Sequence, residues 1–291
     1  MFYEKWLDKN TSSLKGKTVA VTGSTGGLGK ALCRYLAYLG ASLILVDRNA
    51  RRSENVKNSL LSEFDGINVK CINADLEDIS SVKNACELLV KEPVDIFIHN
   101  AGAYSIPRKT CSTGYDNVFQ INFVSPYYII KKLLPVISGR GGRVVVVGSI
   151  AHNYSKTDER SIDFADRVQA SKVYGNAKRY LMYSMYPLAN EDISISVTHP
   201  GISFTGITAH YPKLIFALIK HPMKIIFMKP KKAALSILKG VFEPCADCEW
   251  IGPRYFDVWG LPKKKKLCSA KKEERDFIQS TAEKIYSKLD T

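Results

Sequence analysis

The residues with the clearest chemical potential in this 291-residue chain are Tyr174 and Lys178, in the run Tyr174-Gly175-Asn176-Ala177-Lys178. On a helix, positions i and i+4 share one face, so a phenol hydroxyl and an ammonium can converge. A free tyrosine titrates near about 10 and is a poor base at neutral pH. A nearby cation stabilises the phenolate and makes it usable as a proton-transfer acid/base. As a bare pattern the spacing fits two solvated helix residues equally well, so the pair needs a site around it.

A second cluster suggests what that site would hold. Thr22-Gly23-Ser24-Thr25-Gly26-Gly27-Leu28-Gly29 follows an apolar β-branched run and opens a helical pattern. Glycines allow a tight turn and close backbone approach to a pyrophosphate, and the helix N-terminus adds free N–H groups and a positive dipole end. The next apolar run ends at Asp47, where a carboxylate can accept hydrogen bonds from an adenosine ribose. That favours NAD(H), because Asp47 would repel a 2′-phosphate. Arg48 suits such a phosphate and keeps NADP(H) open, although neither Ser24 nor Thr25 is basic.

The elements that must position these residues alternate in type. Thr18–Thr22, Leu43–Val46, Val69–Ile72, Asp95–Ile98, Val144–Val147 and Ile193–Thr198 read as buried strands. Helix-period segments such as Leu28, Leu32, Tyr35, Leu36 and Leu39 separate them. The expected fold is α/β: a single domain with a doubly wound, Rossmann-type parallel sheet and helices on both faces. Residues 17–205 would form the cofactor-binding and catalytic core, 206–270 a substrate lid and C-terminal strand region, and 271–291 a C-terminal helix. Ligands in such sheets bind at the carboxyl ends of the strands.

Composition permits a sizeable core: 45% of residues are hydrophobic and 24% charged. No stretch reaches the ~18 apolar residues of a bilayer span, and Met1 to Gly16 lacks the apolar core and cleavage site of a secretory signal. A cytoplasmic location is expected, and seven cysteines, an odd number at irregular spacing, fit reduced thiols there. The formal charge of +14 favours anionic partners without choosing among them.

From the glycine turn to about Thr205 the chain resembles the short-chain dehydrogenase/reductase family. Thr22, Gly23, Gly27 and Gly29 match its Thr-Gly-x-x-x-Gly-x-Gly turn. Gly26 also fits the pattern of the extended branch, but Asn100-Ala101-Gly102 belongs to the shorter branch. Asp75-Leu76 matches the pair flanking the adenine; Asn122, Ser149, Tyr174 and Lys178 match the catalytic tetrad in order; Pro200-Gly201 with Thr205 matches the segment that meets the nicotinamide carboxamide. The resemblance implies that Ser149 polarises the substrate oxygen and Tyr174 donates or accepts the proton. It implies that Lys178 binds the nicotinamide ribose and lowers the tyrosine pKa, and that Asn122 holds a water linking Lys178 to solvent. Hydride exchange at nicotinamide C4 would interconvert an alcohol and a carbonyl, with no metal required.

Two departures stand out. A polar insert, Tyr154 to Gln169, lengthens the interval between Ser149 and Tyr174. Together with Ser149-Ile150-Ala151-His152, it resembles retinol-dehydrogenase-like members. The stretch from Lys178 to Pro200 looks about one helical turn short and contains Pro187, which leaves a helix-mediated homo-oligomer open. Tyr211 to Lys232 interleaves apolar residues with lysines and is divided by Pro222. It reads as a lid over an apolar pocket, or as a basic amphipathic element touching membrane. Both imply a hydrophobic substrate such as a steroid, retinoid or lipid-like carbonyl compound.

Other features invite blander readings. Cys245-Ala246-Asp247-Cys248 lacks a second ligand pair for zinc. Lys263 to Lys266 reads as a solvated tail or turn, without the stacking aromatics or reading helix of a nucleic-acid binder. The five histidines do not cluster in spacing, and Tyr180, Tyr183 and Tyr186 read as packing. The competing function is a nucleotide-binding regulatory or membrane-peripheral scaffold that keeps the fold without turnover.

Overall fold

The computed structural model describes residues 3–201, 228–267 and 269–291. Eight strands form one sheet in the order β3-β2-β1-β4-β5-β6-β7-β8. The strands are β1 (Thr18–Thr22), β2 (Ser42–Asp47), β3 (Val69–Asn73), β4 (Ile96–His99), β5 (Arg143–Val147), β6 (Ser194–Thr198), β7 (Glu249–Tyr255) and β8 (Trp259–Lys266). The first seven run parallel and β8 returns antiparallel to β7. Parallel strands covered on both sides must be apolar on both sides, and β1, β2, β4, β5 and β6 are buried almost throughout.

Alternation of side chains along each strand divides the core in two. Ala20, Phe97, Val144, Val146 and Val197 face α4 (Ile79–Leu89), α6 (Ser125–Ser138), α7 (Ala170–Tyr183) and α9 (Lys272–Asp290). Val19, Val21, Ile98, Val145 and Val147 face α2 (Gly27–Tyr38), α3 (Ala50–Glu63) and α8 (Pro230–Phe242). A short helix, α1 (Glu4–Asn10), adds Leu7 to the second core. The expected doubly wound architecture is therefore present. Sequence order reverses between β1 and β4, which opens a crevice at the carboxyl edge of the sheet.

Two helices that follow β2 and β3 carry side-chain caps, and the helix that opens at the crevice does not. Asn49 caps α3 by accepting from Arg52 N at 2.9 Å, and Asp78 caps α4 by accepting from Ser80 N at 3.0 Å. The N-cap of α2 is Gly26, with no side-chain cap. Its first-turn amides are thus left for an external acceptor, at the switch point.

The run Lys263 to Lys266, expected to be a solvated tail or turn, lies in β8 at the edge of the sheet, with Lys265 opposite Trp250. Lysines and Pro262 on an edge strand discourage pairing with another chain, which explains a strand of such low apolar content.

Candidate active site

The glycine turn is fixed by steric clearance. Gly23 has φ +72°, and a Cβ there would meet Ala101 Cα at 2.8 Å. A Cβ on Gly29 would stand 2.1 Å from Gly23 O, so only glycine lets α2 begin this close beneath the turn. Gly26 is the opposite case: its Cβ would meet only Gly23 O, at 3.8 Å. Open space above uncapped amides, on a turn closed at Gly23 and Gly29, fits a pyrophosphate. Leu28 is half-buried on the first turn of α2 and packs against the second core.

Hydrogen bonds lock the turn to its neighbours. Thr22 Oγ1 accepts from the backbone amides of Asn100 and Ala101, each at 3.1 Å, and the Asn100 amide donates to Thr22 O and Gly23 O. Having accepted twice, the Thr22 hydroxyl donates to His99 Nδ1 at 3.0 Å, which assigns the imidazole proton to Nε2. Asp47, at the end of β2, is buried at 4% exposure. Its oxygens accept from Ser24 Oγ at 2.5 Å, Ser53 Oγ at 3.0 Å and Thr25 N at 3.3 Å. The carboxylate therefore braces the glycine turn from beneath, while Arg48 is exposed. Asp75 and Leu76 follow β3 on the same edge. Asp75 accepts from Glu77 N at 3.0 Å, and Leu76 O accepts from Ser125 Oγ at 2.6 Å.

Across the crevice, α7 brings Tyr174 and Lys178 together as the i,i+4 spacing predicts. The Lys178 Nζ lies 5.7 Å from the Tyr174 ring centroid and donates to Val147 O at 2.9 Å. Ser149 opens a 3-10 turn (Ile150–Tyr154), accepts from Ala151 N at 3.2 Å and stands close enough to the Tyr174 phenol to lower its pKa. Asn122 sits in a π-helical turn, Gln120–Val124, between α5 (Asn117–Phe119) and α6. Such turns often occur at functional sites. The Asn122 amide donates to Ala103 O and Val118 O, both at 2.8 Å, and a Cβ on Gly102 would meet Asn122 Oδ1 at 2.8 Å and Lys178 Nζ at 3.4 Å. Gly102 is thus the clearance at which Asn122 and Lys178 meet. Gly201, φ +79°, follows β6 and Pro200 on the same edge; Thr205 lies outside the described residues.

The electrostatics differ from the sequence expectation in one respect. Burial pushes the Tyr174 phenol up to about 12; the nearby Ser149 hydroxyl pulls it back and Tyr104 raises it. Burial alone drives Lys178 down to about 7. The ammonium lies over the ring face rather than at the hydroxyl, and both groups are desolvated together, so the protein alone does not depress the phenol.

Sequence reasoning missed much of the support. Tyr104 stands edge-on to Tyr174, centroids 5.3 Å apart at 81°. Arg108 pairs with Asp116 and donates to Arg167 O at 3.0 Å and Phe164 O at 3.1 Å. Asp116 also caps α5, and its amide donates to Asp163 Oδ2 at 2.8 Å. One clamp thereby joins the loop after β4, the turn that carries Asn122, and the insert. It holds Phe164 at φ +57°, buried with Val118 and Val173 in a cluster against which Tyr174 packs. Behind Ser149, Trp250 is stacked on His199 at 13° and meets His152 edge-on. His152 Nδ1 contacts Ser149 O at 2.7 Å. Burial holds His99, His152 and His199 below the usual imidazole range, so all three are neutral. Arg179, at 1% exposure, is satisfied by Glu274, Ser269 and His152 O, and ties α7 to α9.

The family profile described as short chain dehydrogenase matches residues 17–212. The chain belongs to this family. As a short-chain dehydrogenase it is an oxidoreductase with an NAD(P)-binding Rossmann fold. Mouse retinol dehydrogenase 14 is 29% identical over 262 residues, covering 84% of this chain and 78% of that protein. The short-chain dehydrogenase TIC 32 A of Brassica napus, a chloroplastic protein, is 29% identical over 219 residues, covering 69% and 68%. Among solved structures, an uncharacterized protein from Mycobacterium Paratuberculosis superposes with TM-score 0.74 at 21% identity, covering 96% and 94% of the two chains. A short-chain dehydrogenase from Sphingobium yanoikuyae in complex with NADPH gives 0.59 at 21% identity, covering 77% and 83%. The retinol-dehydrogenase-like resemblance of this short-chain dehydrogenase is thus supported, and the structural likenesses bear on its fold.

Proposed function

We propose that the chain interconverts an alcohol and a carbonyl on a hydrophobic substrate, steroid-, retinoid- or lipid-like, with Tyr174 as acid/base. The observation that carries this reading is the placement of Lys178 against the Tyr174 ring and beside Asn122 at Gly102, with Ser149 near the phenol, across the crevice from a glycine turn with no side-chain cap on its helix. A bound nicotinamide would supply or accept the hydride and, when oxidised, place a positive charge beside the phenol. Tyr174 passes the proton at its hydroxyl, and Ser149 holds the substrate oxygen and donates to it. Lys178 binds the ribose side of the crevice, where a partner would restore its charge. Asn122 fixes the floor next to it and places a water on the way from Lys178 to solvent. The remaining cofactor contacts come from Thr22 to Gly29, Asp75-Leu76, Asn100 to Gly102, and Pro200, Gly201 and Thr205.

Asp47 favours NAD(H), and the exposed Arg48 admits NADP(H). The hydrophobic-substrate reading rests on the composition of 211–232, of which 211–227 lies outside the described residues, and on the resemblance to retinol dehydrogenases. A cytoplasmic protein with peripheral membrane contact through 211–232 fits it; no helix of the described residues is long and apolar enough to cross a membrane. The test is a screen of steroids, retinoids, aliphatic ketones and sugars with both cofactors, followed by reduced-nicotinamide absorbance. Turnover of apolar carbonyls with NADH is expected. Tight cofactor binding without turnover of any class would support the nucleotide-binding scaffold instead.

A further inference from the structure

The turn between β7 and β8 carries a surface that the oxidoreductase reading does not use. Tyr255, Phe256, Trp259 and Leu261 lie within seven residues and are all exposed, Phe256 at 85%. Isolated exposed apolar residues are ordinary, but a contiguous group of large ones marks an interaction surface. Tyr255 and Trp259 pack on each other with centroids 5.0 Å apart, and the Arg254 guanidinium lies 5.9 Å from the Tyr255 ring. Along β8, Leu261 and Lys263 alternate onto one face, and a register shift against β7 separates them from Trp259. Arg254 and Lys263 are exposed and form no salt bridge among the described residues, whereas the nearby acidic groups Glu243, Glu249 and Asp257 are paired with Lys264 or Lys265. The patch is therefore aromatic at its tip and cationic behind it.

Its conformation is strained and held. Phe256 and Asp257 adopt left-handed backbone, φ +51° and +57°, which is costly for a bulky aromatic. The strain persists because His199 Nε2 bonds Asp257 O at 2.9 Å and Lys265 Nζ bonds Asp257 Oδ1 at 2.6 Å and Pro253 O at 2.5 Å. These bonds latch a turn whose result is to hold a phenylalanine in water. The turn also stands at the carboxyl edge of the sheet, because β7 runs parallel to β6. A Cβ on Gly201 would meet Val258 O at 2.6 Å, so the patch borders the segment that follows β6 into the crevice.

We infer that the β7–β8 turn docks the protein on an anionic lipid surface, inserting Phe256 and Trp259 at the interface while Arg254 and Lys263 meet the headgroups. Aromatic residues favour the membrane–water boundary and cations favour its negative face. A second copy pairing along β8 is the rival occupant, but lysines and Pro262 are what discourage such pairing. Docking at this place would turn the crevice mouth toward the bilayer, so that a substrate dissolved in lipid reaches it directly. That consequence rests on the proposed function, but the docking itself does not.

The test is co-sedimentation of the full chain with vesicles of equal parts phosphatidylcholine and phosphatidylglycerol, against phosphatidylcholine alone. Wild type should pellet with the anionic vesicles, with binding weakened by salt. The double variant Phe256→Asn/Trp259→Ser should lose about tenfold or more in partitioning. Asparagine tolerates the left-handed conformation, so loss of folding is not expected from Phe256→Asn. Arg254→Glu/Lys263→Glu should lose affinity for anionic vesicles and keep its circular dichroism. Equal binding by wild type and the aromatic variant would assign attachment to another segment and overturn the inference. So would absence of vesicle binding, or a dimer in sedimentation velocity that these substitutions dissociate. None of these outcomes requires a substrate, so docking can fail while turnover stands, and the reverse.

Discussion

The two sides of the crevice are built by opposite rules. On the nucleotide side, Asp47 is engaged by Ser24, Ser53 and Thr25, Asn100 fastens the turn, and Gly23 and Gly29 leave no clearance. On the carbonyl side, Lys178 is 2% exposed and among the described residues donates to Val147 O alone, and the phenol beside it is held protonated by burial. One side is rigid because its polar groups satisfy each other. The other keeps reactive groups under-satisfied, so that incoming charge changes their protonation most easily. Binding and chemistry are thereby separated in space, and substitutions should separate them too.

The largest expected effect tests that separation directly. Tyr174→Phe removes the transferable proton and nothing from the nucleotide side. Turnover should fall by about 10³-fold or more while NADH affinity, read by fluorescence titration, changes by less than about twofold. Comparable rates in mutant and wild type would refute the role.

Next come two glycines three residues apart. Gly29→Ala places a methyl group 2.1 Å from Gly23 O and must move the turn; it should cost about 1–3 kcal/mol in chemical denaturation and abolish measurable NADH binding. Gly26→Ala meets nothing closer than 3.8 Å, so its melting temperature should stay near wild type while NADH affinity falls. If both variants lose stability equally, the steric account of the turn is wrong.

The carbonyl side should reveal itself through pH. Lys178 titrates near 7 in the folded chain and near 10.5 when free. Between those values the unfolded chain binds the extra proton, so stability rises with pH across that window, and the burial penalty is present in full below about 7. Lys178→Met should therefore be more stable than wild type at pH 6 by roughly 1–3 kcal/mol, and the gap should close toward pH 10. Urea unfolding at the two pH values checks this; a gap independent of pH would show that Lys178 is not desolvated.

What the sequence made legible follows the same division. Gly23, Gly29 and the Tyr174–Lys178 spacing act over a few residues, so their order in the chain carries their geometry. Coverage of the sheet on both sides was legible because Val144–Val147 is an uninterrupted apolar run, which is a local signal. Lys263–Lys266 misled because a lysine run reads as solvent, although edge strands use lysine. The Arg108 clamp had no signal, since Asp116, Asp163 and Phe164 meet only after folding. Breaking it with Arg108→Met should lower turnover by about 10- to 100-fold, since misplacing a reacting group by about 1 Å can cost that much, with NADH affinity unchanged. An unaltered kcat would reduce the insert to a passive surface.

The smallest effect concerns Asp47, where the two rules meet. The carboxylate can repel a 2′-phosphate, but it also braces Ser24 and Ser53, so removing it has two consequences. Loosening the turn weakens NADH and NADPH alike, because both share the pyrophosphate. Removing the negative charge beside the exposed Arg48 helps NADPH alone. The ratio of the two affinities cancels the shared loss. Asp47→Ala should shift that ratio toward NADPH by about tenfold, the size of one screened charge contact near 1.4 kcal/mol. An unchanged ratio with both affinities reduced would leave Asp47 as a brace only, and cofactor choice would then have to come from elsewhere on the exposed rim.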